Sequence, residues 1–217
     1  MFDVQFARRQ MIEQQVRAWE VLDLRVLATL ESVAREDFVP VALRDLAFAD
    51  TNVPLGHGQH MLAPKVEGRI LQALEIQPHD HALEVGTGSG FFAACIGRLA
   101  QTVRTIDLFP DFVEIATANL HRAGAHNVTV ATEDAMTLPR HEVYDVIALT
   151  GSLPVYDPRF EHALKIGGRL FVAVGNGPAQ EAQRVTRTGS GEWVRESLFE
   201  VGMAPLLHAQ EPPKFVF

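Results

Sequence analysis

Leu83-Glu84-Val85-Gly86-Thr87-Gly88-Ser89-Gly90-Phe91 is the segment that decides the fold. The run His81 to Val85 has the length and apolar content of a short strand, and it leads into three glycines at every second position. Residues 91–100 then read as a helix. Glycine lets the chain turn sharply and lets a ligand approach the backbone closely. The helix start behind it presents free N–H groups. On its own the loop is compatible with a tight strand-to-helix turn that binds nothing, so its surroundings carry the inference.

Working outward, strand and helix alternate. Residues 102–107 read as a strand, 111–123 as a helix capped by Gly124, and 128–131 as a strand. Residues 144–150 form a continuous apolar strand, of the kind found buried in parallel sheets. Residues 160–165 read as a short helix ending at Gly167-Gly168, and 169–174 as the next strand. This order predicts a doubly wound, mostly parallel α/β sheet. Residues 184–188 and 193–201 flank Gly189-Ser190-Gly191 and predict an antiparallel hairpin on one edge. Upstream, Ile12, Val16 and Trp19 share a helical face. Asp23 is placed to cap a second helix carrying Val26, Leu27, Leu30 and Val33, and Phe38-Val39-Pro40 breaks it. A third short helix is expected over 42–48. Residues 51–64, with two prolines and two glycines, read as a loop. Pro64 then opens a helix that buries Val66, Ile70, Leu71 and Leu74. The expected organisation is one domain over 1–217, with helices and a loop over 1–75 and the α/β sheet over 76–217.

Two acids give the glycine loop a chemical context. Asp107 ends the next strand, 21 positions after Gly86, where a carboxylate can accept from both hydroxyls of a ribose. It is also placed to cap the helix that follows. Asp134, after the third strand, can accept from an adenine amino group or stand as a solvated loop acid. With their neighbours Leu108 and Ala135, they are the expected adenosine contacts, facing Gly86, Thr87, Gly88 and Gly90. The dinucleotide fingerprint G-x-G-x-x-G wants its third glycine one residue later, where this chain has Phe91. Glu84 would repel a pyrophosphate but suits an ammonium group. Together these features favour S-adenosyl-L-methionine over NAD.

Composition narrows the class further. The chain has 217 residues, 47% hydrophobic and 21% charged, with a formal net charge of −8. That size suits one α/β domain, and the acidic balance argues against a nucleic-acid partner. No apolar run reaches the length needed to span a bilayer, and the first twenty residues lack an apolar leader. The one cysteine, Cys95, lies in an apolar helix and is expected to be buried. No metal site is expected, and the default location is the cytoplasm. A His57/His60 metal pair lacks a third ligand.

The whole chain resembles the protein-L-isoaspartate O-methyltransferases, on the class I methyltransferase, Rossmann-like fold. The matching segments run in order: Met11-Ile12, Asp23-Leu24-Arg25-Val26-Leu27, Arg35-Glu36-Asp37-Phe38-Val39-Pro40, Pro54-Leu55-Gly56-His57-Gly58-Gln59, the glycine loop itself, and Gly167-Gly168-Arg169-Leu170. The glycine motif is shared by many methyltransferases. The R-E-x-F-V-P and P-L-G-x-G-Q segments are far more specific. The resemblance implies a seven-stranded sheet with an antiparallel edge. It also implies methyl transfer to the free carboxylate of isoaspartyl residues in damaged proteins. Gln59 is expected to brace the loop and to stand among the cofactor-binding positions.

Departures cluster at the acceptor loop. The family's G-Q-T-I-S reads Gly58-Gln59-His60-Met61-Leu62 here, and its T-A-A reads Thr150-Gly151-Ser152. The serine that the family treats as catalytic or acceptor-binding is therefore Leu62, which has no hydroxyl. The acceptor-site candidates are His60, Leu62, Thr150 and Ser152, with Thr150 also near the cofactor. His60 is either a replacement donor or a surface histidine. A different acceptor, or a cofactor-binding homologue that has lost transfer, stays open. No acid–base dyad is expected, because a carboxylate with a pKa of roughly 4 is already ionised at neutral pH.

Overall fold

In the computed structural model, residues 3–138 and 143–213 are described. Nine strands and six α-helices are named here in chain order. The N-terminal part contains α1 (Val4–Met11) and α2 (Leu24–Ser32), then the strands β1 (Val53–Gly56) and β2 (Gln59–Met61), then α3 (Pro64–Leu74). The sheet part runs β3 (His81–Val85), α4 (Phe91–Leu99), β4 (Thr102–Asp107), α5 (Pro110–Arg122), β5 (Val128–Thr132), β6 (Tyr144–Leu153), α6 (Arg159–His162), β7 (Leu164–Val174), β8 (Gln180–Gly189) and β9 (Glu192–Val201).

The last seven strands form one sheet in the order β5-β4-β3-β6-β7-β8-β9. β3 to β7 are mutually parallel, and β8 and β9 pair antiparallel at the edge. The chain winds outward from β3 through β4 to β5, then returns to the other side of β3 with β6. The strand order therefore reverses beside β3, whose C-terminal end carries the glycine loop. Such switch points leave a crevice above the strand ends, where ligands bind in open α/β sheets. The fold is the expected mixed seven-stranded sheet with N-terminal helices. Among the described residues, no helix is long and apolar enough to cross a membrane.

Local chemistry explains most boundaries. Asp23 caps α2 by accepting from Arg25 N at 2.8 Å, and Pro64 occupies the first turn of α3. One apolar cluster joins the N-terminal helices to a sheet face, including Met11, Val16, Leu30, Ile70, Leu71, Phe91, Cys95 and Ala148. A second cluster on the other face joins Leu83, Ile106, Ile147, Phe160 and Leu170.

Several expectations need correction. The segment 51–64 is not irregular throughout. Val53 pairs with Met61 in a short antiparallel hairpin, and His57 and Gly58 turn its tip with positive φ. Composition hides this, because the strands are short and one contains a proline. The first helix is α-helical only to Met11 and continues as a π segment and a 3-10 turn to Trp19. The third helix is a 3-10 segment over Val41–Leu46. The expected helix 160–165 stops at His162, because Leu164 already pairs with Tyr144 at the start of β7. β8 begins at Gln180, ahead of 184, since its pairing with β7 extends down to Glu181 opposite Val174.

Candidate active site

Two adjoining depressions open at the C-terminal ends of β3, β4 and β6. The first is lined by Gln59, Gly86, Asp107, Leu108, Phe109, Asp134 and Ala135, with Pro205, Leu206 and Leu207 from the C-terminal segment. The second, the inner depression, lies on the hairpin side of the glycine loop, and its lining includes Leu55, His60, Leu62, Glu67, Glu84, Gly86, Thr87, Gly88, Ser89, Phe91 and Thr150. Gly86 belongs to both. The sheet topology thus gathers nearly all the expected cofactor and acceptor residues at one place.

Gly86 has φ +99°, and a Cβ there would stand 2.3 Å from Thr150 Oγ1. Only glycine fits. Gly90 plays another part. With φ +84° it starts α4, and a Cβ would press on Ala116 of α5 at 3.1 Å. Gly90 lines neither depression, and the role the structure gives it is the close packing of α4 on α5.

Glu84 is the most unusual group. It is fully buried, and both carboxylate oxygens lack a hydrogen-bond partner. The adjacent Thr105 hydroxyl is engaged with Thr87 Oγ1 at 2.6 Å. Burial pushes the Glu84 carboxyl up to about 8; Asp107 and Glu67 add repulsion, and only the nearby Thr105 hydroxyl opposes them. In its ionised form such a buried, unpartnered carboxylate is costly unless a ligand cation or donor completes it.

Asp107 is mostly buried, and burial raises its carboxyl above the ordinary value. It accepts from Gly88 N at 3.0 Å and Phe109 N at 3.1 Å. The cap role and the ligand role are therefore compatible, since a carboxylate offers about four acceptor sites. Asp134 accepts from Met136 N at 2.8 Å and from the His208 ring at 2.8 Å. His208 lies just beyond Pro205–Leu207, so this pair ties the C-terminal segment over the cleft. At the opposite wall, His57 pairs with Asp111 at 2.8 Å and stacks on Phe109 at 4.1 Å. That contact pins the tip of the β1–β2 hairpin beside the same cleft. Sequence reasoning missed Phe109, His208 and residues 205–207. They lie far apart along the chain and carry no motif.

The acceptor candidates separate. Thr150 Oγ1 donates toward the carbonyls of Val85 (2.9 Å) and Gly86 (2.8 Å), so its proton is committed to the backbone. Ser152 is buried and donates to Met203 O at 3.3 Å, outside both depressions. In this structure both hydroxyl protons are engaged by backbone carbonyls, unlike the expected arrangement in which they face an acceptor. Leu62 is buried and apolar, leaving only its backbone to act there. His60 is exposed and faces the inner depression. Among the described residues, no group of three or more His, Cys, Asp or Glu is placed to hold a metal.

The family model for protein-L-isoaspartate(D-aspartate) O-methyltransferase matches residues 7–211. The chain belongs to this family. A protein-L-isoaspartate O-methyltransferase from Rhodopseudomonas palustris is 38% identical over 202 residues, covering 92% of this chain and 93% of that protein. One from Koribacter versatilis is 35% identical over 204 residues, covering 94% and 91%. Among solved structures, a Plasmodium falciparum protein assigned as a protein-L-isoaspartate O-methyltransferase, in complex with S-adenosyl-L-homocysteine, aligns with TM-score 0.79 at 19% identity. The alignment covers 92% of this chain and 97% of that one. At that identity the likeness is one of fold. The methyltransferase family assignment matches the resemblance carried by the R-E-x-F-V-P and P-L-G-x-G-Q segments. It also gives the β1–β2 hairpin a context: one of these two segments, residues 54–59, forms most of it, and hairpin residues line both depressions.

Proposed function

We propose that this protein binds S-adenosyl-L-methionine and transfers its methyl group to the free carboxylate of isoaspartyl residues in damaged polypeptides. The observation that carries the reading is the shared inner depression. The orphaned Glu84 carboxylate, the glycine loop and the hairpin residues His60 and Leu62 all line it. These residues fit the cofactor: Glu84 is a buried carboxyl without a partner that an ammonium group would hold ionised, and Gly86 leaves the backbone open to close approach. Glu84 would take the methionine ammonium. Asp107 would take the ribose hydroxyls, with Asp134, Leu108 and Ala135 around the base. Gln59, Thr87 and Gly88 would wall the middle.

Bound there, the cofactor would supply an electrophilic methyl group on a sulfonium. The acceptor is already ionised near pH 7, so the chain needs no general base. Its work is alignment and exclusion of water. The hairpin closes one wall, and the segment 205–207 closes the other. With the Thr150 and Ser152 hydroxyls engaged by the backbone, His60, exposed and lining the inner depression, would donate to the acceptor carboxylate. Residues 1–75 thus shape the acceptor side and residues 76–217 the cofactor side of one working domain. The same proposal places the enzyme in the cytoplasm, acting on polypeptides rather than nucleic acid.

Labelled S-adenosyl-L-methionine tests it. Label should enter an isoaspartyl peptide as a base-labile methyl ester. His60→Ala should raise KM for the peptide about tenfold, in keeping with loss of one hydrogen bond to a charged group, and leave cofactor affinity unchanged. Transfer to another acceptor, with none to the isoaspartyl peptide, would favour the second reading: the loss of loop hydroxyls has redirected the site. Asp107→Ala should weaken cofactor binding by about 1–3 kcal/mol. Unchanged affinity by calorimetry would remove Asp107 from the site.

A further inference from the structure

Among the described residues, Arg35 is the largest fully buried side chain, with 1% of its surface exposed. A buried guanidinium needs all its donors satisfied, and here they reach three separate elements. Nε donates to Ala47 O at 2.8 Å, Nη2 donates to Leu62 O at 2.6 Å, and Nη1 pairs with Glu67 of α3. The guanidinium also lies 4.8 Å from the centre of the Phe91 ring, at the start of α4. Burial raises Glu67 to about 7, with Arg35 opposing the rise.

The contact at Leu62 matters most for the reaction. The carbonyl of Leu62 and the N–H of Ala63 belong to one peptide group. Its oxygen is held by Arg35, and its N–H donates to Asn52 Oδ1 at 2.9 Å. The peptide plane that ends the acceptor hairpin is therefore gripped from both sides, by two residues that do not line the inner depression. A rotation of that plane would move Leu62 and the β2 strand carrying His60. Leu62 itself has no polar side-chain atom, so these two hydrogen bonds act on its peptide group directly.

We propose that Arg35 and Asn52 are positioning residues for methyl transfer: they fix the 62–63 peptide and so place the acceptor side of the site. This deepens the isoaspartyl reading and rests on it for its kinetic test. Arg35→Lys keeps a cation opposite Glu67 but cannot reach both carbonyls. It should raise KM for the isoaspartyl peptide at least fivefold, with cofactor affinity within twofold of wild type. Asn52→Ala, at an exposed position, should give the same split without touching the buried pair. A purely structural role would instead lower the active fraction, reducing kcat while leaving both KM values in place.

Amide hydrogen exchange supplies a readout independent of activity. The Ala63 amide should exchange at least tenfold faster in both variants, with β3 and β4 unchanged. If wild type fails to methylate the isoaspartyl peptide, the functional reading has failed and exchange at Ala63 still decides the positioning claim. Should Arg35→Lys prove too unstable to assay, Asn52→Ala decides it alone. Unchanged peptide KM together with unchanged Ala63 exchange in Asn52→Ala would overturn the proposal.

Discussion

Glu84→Gln should make the cofactor-free protein more stable and its affinity for S-adenosyl-L-methionine at least tenfold weaker. Burial pushes the carboxyl from its ordinary value of about 4.5 up to about 8 in the fold. A group whose folded value is raised leaves stability intact below its unfolded value and costs stability as pH rises toward the folded one. Wild type should therefore lose stability between about pH 4.5 and 8 on this group's account, and Glu84→Gln should not. Each unit of difference is about 1.4 kcal/mol, so above pH 8 the gap between the two proteins is about 3–5 kcal/mol. Glu67, raised to about 7 beside it, titrates in an overlapping window and leaves the variant a residual slope. Cofactor binding reverses the preference, since an ammonium group favours the ionised carboxylate. Wild-type affinity should rise from pH 6 to 8.5 with release of a proton, visible as a buffer-dependent heat of binding. Thermal melts and titrations that show the same pH dependence in both proteins would rule out this role for Glu84.

Gly86→Ala should cost about 2–4 kcal/mol and abolish measurable cofactor binding. Two penalties combine. The residue has φ +99°, which an L side chain rarely adopts, and its Cβ would stand 2.3 Å from Thr150 Oγ1. Backbone strain of this kind costs on the order of 1–3 kcal/mol, and the steric conflict adds to it. The second penalty is separable. Removing the hydroxyl in Gly86→Ala/Thr150→Ala leaves Thr150 Cβ at 3.6 Å, an ordinary contact. The double variant should be more stable than the sum of the singles by about 1–2 kcal/mol, a coupling typical of touching residues. Additive losses in a denaturant cycle would mean that the Thr150 contact relaxes freely and that φ alone makes this position glycine.

The sheet was legible because its signals are local. β3 ending in alternate glycines, the apolar run of β6 and the glycine-centred turn of the β8–β9 hairpin each declare themselves within ten residues. The gathering of Glu84, Asp107 and Asp134 was legible for the same reason: all three lie at or next to strand ends, and a parallel sheet brings strand ends together. What the sequence hid is tertiary. The β1–β2 hairpin has too few residues to show alternation. The commitment of Thr150 to the Val85 and Gly86 carbonyls, and of Ser152 to Met203, depends on neighbours 51 to 65 positions away. Arg35 reads as one letter of a motif, and its grip on Leu62 and Glu67 appears only once α3 is packed. His208 closing on Asp134 across 74 positions has no sequence signature at all.

The most direct measurement is the ratio of kcat/KM for methyl transfer to an isoaspartyl peptide and to its normal aspartyl twin. The labelled cofactor is common to both, and cofactor binding is verified on the same preparation. A ratio of at least a hundredfold in favour of the isoaspartyl peptide is predicted, with the label released by mild base as expected of an ester. Equal rates, or none on either peptide from a preparation that binds the cofactor, would contradict the proposed acceptor.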